Sequence, residues 1–308
     1  DGVEQKDVWS FRRSNYFEHV GNECKNVEKN VGILDMSSFA KCRILGPNAE
    51  NFLEGFLANS LPKKVGSVRL CHALNGMGGV HSEFTILRES ENSFYMVSAG
   101  ALQRLDHDYI CKAMPEDGVR FEQLTNQIGV LVVAGPKARK LMSLVSETDF
   151  SNTEFPWLTG KKTDIGLAPS TTIRVNFVGE LGWEIHHPIE YQNHIFDVIM
   201  NAGKNLGIKP FGIRAMNCMR LEKSYKLIGT EMSTEYSPFE SGLDRFIKMD
   251  KDYFTGKKHL VEWIDEGFAN AFVTIEIHDV IEADALGNNP ILKDGKPIGR
   301  ATSGGYGW

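Results

Sequence analysis

The same local pattern occurs twice in the chain: an apolar strand, a Gly-Pro pair and then a helix. The first copy contains Gly46 and the second Gly135, each followed by proline. A Gly-Pro pair ends a strand, and proline is tolerated in a first helical turn because its missing N–H would have no intrahelical partner there. After the first copy, apolar residues return every three or four positions from Ala49 to Leu57, which is typical of a buried helical face. Two related α+β units account for this repeat.

Hydrophobic periodicity predicts strands and helices that follow one another irregularly. Short or alternating apolar runs indicate strands at 40–45, 68–74, 84–87, 94–97, 129–133, 172–177 and 183–186. Helical spacing indicates helices at 16–31, 101–113, 191–206 and 212–223. Several strands form hairpin-like pairs, which favours an α+β fold over a doubly wound parallel sheet. Beyond residue 250 we expect a third, β-rich unit, with a strand at 271–277 and a hairpin turn at Asp294-Gly295.

The composition argues against several classes of function. The chain has 308 residues, of which 42% are apolar and 24% charged, so a sizeable core can form. The net charge of −6 leaves no basic surplus for a phosphate backbone, and we expect no nucleic-acid partner. No apolar run reaches the ~18 residues that a membrane-spanning helix needs. Five widely spaced cysteines indicate buried free thiols, and no metal is expected because the adjacent His186 and His187 point to opposite faces of a strand.

Common cofactor motifs are missing. The glycine-rich stretch at 76–79 lacks the third glycine of G-x-G-x-x-G, and the stretch at 255–258 lacks the upstream glycine and the Ser or Thr of a phosphate loop. There is no G-x-S-x-G elbow of a serine hydrolase. The chain therefore has no recognisable site of its own for FAD, NAD or ATP.

The segment 171–185 is the most informative, because it combines two strands with the turn motif G-E-x-G-x-E. It resembles the folate-dependent aminomethyltransferase family, whose founding example is the glycine-cleavage T-protein. Further motifs occur in the family's order: N-V-G-I-L-D-M-S at 30–37, G-G-V-H-S-E at 78–83, M-R-L-E-K at 219–223, and G-T-E at 229–231, followed by Pro238. R-S-N-Y-F at 13–17 and T-S-G at 302–304 resemble the folate-binding C-terminal half of dimethylglycine and sarcosine dehydrogenases.

The resemblance implies an α+β fold of three domains, arranged as a cloverleaf around a central hole that holds tetrahydrofolate. We expect the first α+β domain over residues 1–46 and 132–250 and the second over 47–131. Residues 251–308 would begin a C-terminal β-barrel domain that is too short to close and is truncated.

The implied function is a one-carbon transferase. It would move a carbon from an N-methylated amine such as dimethylglycine or sarcosine, or from an aminomethyl donor, to tetrahydrofolate. FAD is expected only on a separate domain or subunit of a flavin dehydrogenase. Two alternatives remain open: a non-catalytic folate-binding module, and a folate-dependent demethylase of a sulfonium compound. The implied compartment is the bacterial cytoplasm or the mitochondrial matrix.

Glu184 is the clearest ligand candidate, since it points away from Trp183 and Ile185 in an otherwise apolar strand. One carboxylate can accept both adjacent N–H groups of a pterin, and the family uses its glutamate there for that contact. Arg214 is a weaker candidate, two residues from the family's usual arginine position, whose planar fork could hold a carboxylate or the pterin carbonyl.

Three further residues are candidates for the cofactor site. Trp183 and Tyr225 could stack on the pterin or on its aminobenzoyl arm, although buried aromatic side chains more often belong to a core. Glu180 lies in the G-E-x-G turn and either binds the ligand or shapes the turn.

Glu83 lies where the family usually has its catalytic aspartate, which stabilises positive charge that develops beside N5 of the folate. A glutamate keeps the charge but moves it by one methylene, ~1.5 Å, and displacements of this size can lower a rate strongly. Thirteen residues earlier, many members carry a tyrosine, whereas this chain has Leu70. The sequence therefore supports folate binding better than it supports catalysis.

Overall fold

A computed structural model describes residues 6–8, 10, 12–280 and 282–308. The helices are α1 (Phe17–Lys29), α2 (Ala49–Phe56), α3 (Gln103–Ala113), α4 (Ala138–Val145), α5 (Gln192–Ala202), α6 (Ile213–Glu222) and α7 (Lys257–Glu266). The strands are β1 (Val31–Asp35), β2 (Ala40–Leu45), β3 (Val68–Leu74), β4 (Val80–Ser90), β5 (Ser93–Ser98), β6 (Arg120–Gln123), β7 (Ile128–Ala134), β8 (Gly160–Ile165), β9 (Ala168–Ile173), β10 (Gly182–Pro188), β11 (Ile208–Pro210), β12 (Pro290–Lys293) and β13 (Lys296–Arg300).

The strands form two large sheets and a C-terminal hairpin. Sheet A has the order β11-β1-β7-β10-β9-β8, and sheet B has the order β3-β4-β5-β2-β6. The pair β1 and β11 is parallel, while the pairs between β7 and its neighbours and those within sheet B are antiparallel. This mixture confirms the predicted α+β class.

Helices cover one side of each sheet. On sheet A, helices α4 and α5 pack against apolar residues of β7 and β10 such as Leu131, Val133 and Ile185. On sheet B, helices α2 and α3 cover a side that includes Phe84 and Ile86. The other side of sheet A is covered in part by α1 and α6.

The remaining surfaces of the two sheets pack against each other. Val68, Leu87, Tyr95 and Val97 of sheet B form one buried cluster with Ile173 of sheet A. We call these two facing surfaces the inter-sheet faces. A polar residue on either face is directed toward the other sheet, which is the feature that positions the candidate site.

Both predicted Gly-Pro turns are present. Strand β2 ends at Leu45 and is followed by α2, and strand β7 ends at Ala134 and is followed by α4. Gly46 and Gly135 have φ angles of 127° and 132°, a backbone region that is nearly closed to other residues. The repeat therefore reflects a local conformational requirement that occurs in each sheet.

Sheet membership changes between β1 and β2 and again between β6 and β7. These points lie a few residues before the domain bounds predicted at 46 and at 131. The division into domains stays a prediction.

Two strand predictions need correction, and one turn is confirmed. The strand predicted at 172–177 is β9, which ends at Ile173. Residues 271–277 alternate as a strand would, but they form no strand in the structure, so that prediction is wrong. The predicted turn at Asp294-Gly295 joins β12 and β13 in a hairpin.

Two further features are the length of the helices and the state of the cysteines. Within the described ranges, no helix is long and apolar enough to cross a membrane. The five cysteines are free thiols; Cys24, Cys42 and Cys71 are buried as predicted, while Cys111 is exposed because its helical position faces away from sheet B.

We predict that Gly135→Ala destabilises the fold. An added Cβ would lie 2.6 Å from the carbonyl oxygen of Asn30, and the positive φ would itself be strained. The expected loss in the free energy of unfolding is about 1–3 kcal/mol, measured by urea denaturation. Gly76→Ala is the control, because no atom lies within 4 Å of the Cβ it would add, and its change should stay within about 0.5 kcal/mol. Equal losses in the two variants would contradict the prediction.

Candidate functional site

Glu184 lies on the inter-sheet face of β10. The neighbouring Trp183 and Ile185 point into the core beneath α4 and α5, so alternation directs Glu184 and His186 toward sheet B. The Glu184 side chain is 9% exposed. A carboxylate this deeply buried needs hydrogen-bond partners, because burying a charge without them is costly.

A chain of two hydrogen bonds supplies that partner and crosses between the sheets. His186 Nε2 lies 3.3 Å from Glu184 Oε2, and the Tyr95 hydroxyl lies 3.0 Å from His186 Nδ1. An ionised carboxylate can only accept, so Nε2 carries the proton, and Nδ1 accepts from Tyr95. Burial raises the pKa of Tyr95 well above its ordinary value, and the nearby charge of Glu184 adds to this effect. The tyrosine therefore stays protonated, and its hydroxyl can donate to Nδ1 of His186.

Glu83 lies on the inter-sheet face of β4. Thr85 and Leu87 follow it by two and four positions without a bulge, so the three side chains point to the same face. Leu87 belongs to the buried inter-sheet cluster. The β3–β4 register places His72 opposite Glu83, and Nε2 of His72 lies 3.1 Å from Glu83 Oε1. The Glu83 side chain is 23% exposed, whereas that of His72 is fully buried.

Leu70 is paired with Thr85 on the same face, one cross-strand pair beyond His72 and Glu83. It adds an apolar side chain where many relatives of the predicted family carry a phenol. The structure therefore brings Glu184, Glu83 and Leu70 to the two inter-sheet faces.

Trp183 lies on the opposite side of sheet A. Its side chain is fully buried, and its ring is 5.3 Å from Phe150 and 6.3 Å from Phe155. A side chain in this core cannot stack on a ligand that binds Glu184, because the sheet separates them. The ligand-stacking role predicted for Trp183 is therefore corrected to a core role.

Arg214 is also separated from the inter-sheet faces. Its guanidinium donates to Asp7 Oδ2 at 2.8 Å and lies 3.7 Å from the centre of the Tyr16 ring. The side chain is 46% exposed. On this surface of α6 it binds the N-terminal segment, and its contact with a ligand stays a prediction.

Glu180 and Tyr225 lie near the C-terminal end of α6. Glu180 Oε1 is 3.4 Å from Lys223 Nζ, and the Tyr225 ring is 5.9 Å from that of Phe177. Their roles toward a ligand stay predictions.

Sequence reasoning missed the function of Arg220 in the R-L-E motif. Its guanidinium donates to Glu231 Oε2 at 3.0 Å and to Ser303 Oγ at 2.7 Å. The side chains of Arg220 and Glu231 are each 1% exposed. This pair ties together three motifs that are far apart in the sequence. The available signal was a charged residue in two of these motifs and a hydroxyl residue in the third.

Glu231 is held in its ionised form. Burial acts to raise the pKa of this carboxyl, but hydrogen bonds from Ser303, Thr230 and the backbone N–H of Leu227 outweigh it and keep the pKa below its usual range. The pair with Arg220 is therefore a charged, fully hydrogen-bonded anchor.

Two arginines of α6 provide a matched test of this anchor. Arg220→Leu should lower the free energy of unfolding by about 3–5 kcal/mol, because it leaves the Glu231 charge buried without its partner. Arg214→Leu removes an exposed ion pair and should cost less than about 1 kcal/mol. Both values can be measured by urea denaturation of the purified variants. Similar losses in the two variants would show that the buried pair is not an anchor.

Comparison with known sequences identifies relatives over nearly the whole chain. The family described as the GCVT N-terminal domain matches residues 2–251. Dimethylglycine dehydrogenase of Rattus norvegicus is 38% identical over 302 residues, which are 96% of this chain and 35% of that protein. An aminomethyltransferase of Thermoanaerobacter sp. (strain X514) is 30% identical over 264 residues, covering 85% of this chain and 72% of that protein. The chain thus spans about a third of the length of the dimethylglycine dehydrogenase.

Comparison with solved structures shows the fold. The crystal structure of the glycine cleavage system aminomethyltransferase T from Bartonella henselae superposes with a TM-score of 0.80 at 20% identity. The match covers 98% of this chain and 82% of that chain, and it confirms the predicted T-protein fold. Truncation of the C-terminal unit stays a prediction. From the matched family and the aminomethyltransferase relative, we conclude that the chain belongs to the aminomethyltransferase family.

Proposed function

We propose that the chain is a folate-dependent one-carbon transferase with its site between the inter-sheet faces. The observation that carries this proposal is the position of Glu184, a buried hydrogen-bond acceptor that His186 contacts on one inter-sheet face. Glu83 lies on the other inter-sheet face. A buried carboxylate without a cationic partner is expensive to keep, so a ligand with N–H donors is a natural complement.

The residues present fit tetrahydrofolate. His186 occupies one lone pair of Glu184 Oε2, which leaves Oε1 and the other lone pair of Oε2 for two N–H donors. A pterin presents such a pair of donors side by side. Tetrahydrofolate, when bound, supplies the amine that accepts the one-carbon unit. The apolar side chains of Val68, Leu87 and Val97 on sheet B help to exclude the water that would release the carbon as formaldehyde.

Glu83 is proposed as the catalytic residue. It keeps an exposed edge, and its negative charge would stabilise the positive charge that develops on an amine as it gains a carbon. It can take the proton which that amine loses and return it to the amine that departs. With an iminium donor and a methylene-folate product, both bonds of the donor C=N group would be replaced by carbon–nitrogen bonds to two folate nitrogens. The two protons that these nitrogens lose would leave on the departing amine, and the carbon would keep its oxidation state, so no oxidant is needed for the transfer itself.

The donor is proposed to be an N-methylated amine such as dimethylglycine or sarcosine, in an oxidised, iminium form. The relation to dimethylglycine dehydrogenase supports this choice. Oxidation of the donor would take place on a flavin-containing domain or subunit. The same relation makes a mitochondrial matrix or bacterial cytoplasm the proposed compartment.

A second candidate is a folate-binding module without catalysis. The specific observation in its favour is Leu70. It places an apolar side chain, without the hydroxyl of the tyrosine that many members carry, on the face that carries Glu83. Turnover decides between the two. Sarcosine mixed with formaldehyde provides a donor, and formation of methylene-folate above the uncatalysed rate would support the transferase. Tight binding without such turnover would select the module.

The first prediction concerns the affinity for (6S)-tetrahydrofolate. Glu184→Gln should weaken binding by about 10- to 150-fold, because it replaces charge-assisted hydrogen bonds worth about 1.5–3 kcal/mol. Titration calorimetry measures the dissociation constant, and Glu190→Gln, at an exposed glutamate after β10, is the control. Unchanged affinity in a folded Glu184→Gln protein would remove Glu184 from the site.

The second prediction separates binding from turnover. Glu83→Gln should leave folate affinity within about 3-fold of the native chain but lower kcat on the order of 10²-fold, because it acts on charge that develops during transfer. Glu83→Asp then tests geometry, since it withdraws the carboxylate by one methylene from His72. If the native chain turns over well, we expect Glu83→Asp to lose activity. Full activity of Glu83→Gln would place the chemistry elsewhere.

A further inference from the structure

The His72–Glu83 contact has an unusual chemical setting. His72 is fully buried, and its Nδ1 has no hydrogen-bond partner among the residues that the structure describes. Its Nε2 has one partner, the Oε1 atom of Glu83 at 3.1 Å. The ring also lies 5.4 Å from that of Phe246, which packs against β3. An unpaired buried nitrogen is costly, so its retention calls for an explanation.

The unpaired nitrogen limits the proton states of the ring. If the ring proton were on Nδ1, an N–H would be buried without an acceptor, and the Nε2 lone pair would face a carboxylate oxygen. An imidazolium would also bury an unpaired N–H. Of the three forms, the Nε2–H form is the one that buries no unpaired N–H, and it can donate to Glu83.

A neutral donor has a different effect on Glu83 from that of a cation. An imidazolium would form an ion pair with the carboxylate and offset its negative charge. The neutral ring binds one oxygen and leaves that charge in place. It also holds the side chain from behind, since His72 is fully buried while Glu83 keeps an exposed edge.

We propose that His72 is a positioning residue for Glu83: it binds Oε1 and thereby reserves Oε2 for the reacting amine. This inference rests on the proposed function, because it assigns His72 to the same transfer. The in-register pair on β3 and β4 makes the arrangement rigid, since both side chains project from neighbouring strands of one sheet. It also accommodates glutamate at this position, because the extra methylene is held in one orientation by the histidine.

Two variants separate the hydrogen bond from the packing of the ring. His72→Leu keeps an apolar side chain of similar size and removes the donor, whereas His72→Gln returns an N–H near the place of Nε2. We expect His72→Leu to lower kcat on the order of 10- to 100-fold with an unchanged dissociation constant for (6S)-tetrahydrofolate. His72→Gln should recover most of that loss. His187→Gln, at a buried histidine on the helix-covered side of sheet A, controls for loss of stability alone.

A readout in the ligand-free chain tests the contact without turnover. Nitrogen-15 spectra of the histidine rings should show His72 as the neutral Nε2–H form at neutral pH. Glu83→Leu should shift the Nε2 resonance of His72 and leave that of His187 unchanged. An Nδ1–H form or an imidazolium at His72 would overturn the inference, and this measurement stands even if His72→Leu does not fold.

The outcomes distinguish the inference from the function on which it rests. If the native chain binds no (6S)-tetrahydrofolate, the proposed function fails, and the role of His72 in transfer fails with it. If the native chain binds and turns over while folded His72→Leu has the native kcat, the inference alone is overturned. A fall in kcat for His72→Leu that His72→Gln reverses, together with the Nε2–H form, would support it.

Discussion

The placement of the candidate site depends on how a charged Glu184 can be buried between two sheets. Its partner His186 lies on the same strand, and the Tyr95 hydroxyl from the other sheet lies within hydrogen-bond distance of the second ring nitrogen of His186. The packing of sheet A on sheet B thus affects the hydrogen bonds that the Glu184 carboxylate can accept. A shift of either sheet would leave a buried histidine nitrogen or a hydroxyl without its partner, at a cost of about 1–3 kcal/mol.

The features that could be predicted from the sequence are those decided within a few residues. Both Gly-Pro turns occur, because a left-handed glycine followed by proline ends a strand wherever it is placed. The side of the sheet that Glu184 takes follows from alternation alone. Residues 271–277 show the limit of such patterns. Their alternation is real, but a strand also needs a neighbouring strand that pairs with it along its length. Among the described residues this segment makes one backbone hydrogen bond, from Phe272 N–H to the carbonyl oxygen of Glu240 at 2.8 Å, and pairs with no strand.

The candidate site was harder to predict because its contacts join distant segments. Arg214 and Arg220 lie on the same helix and are chemically identical, and the sequence analysis proposed Arg214 as a ligand residue while it gave Arg220 no role. What distinguishes Arg220 is Glu231 and Ser303, which approach it through the fold. No role was predicted for His72 either, because a single histidine in an apolar run is typical of a core. Its relation to Glu83 depends on the register of β3 and β4.

The two carboxylates show how the same functional group can acquire two roles from its surroundings. Glu184 is nearly buried and contacts a histidine that Tyr95 binds from the other sheet, so it is suited to bind and orient a ligand. Glu83 is held from one side only and keeps an exposed edge, so its free oxygen can meet a reacting group. Among the described residues, neither forms an ion pair with an arginine or lysine, whereas Glu231, which stabilises the fold, is paired with Arg220. The buried Arg220–Glu231 pair thus stabilises the fold, whereas Glu184 and Glu83 are each held by a histidine.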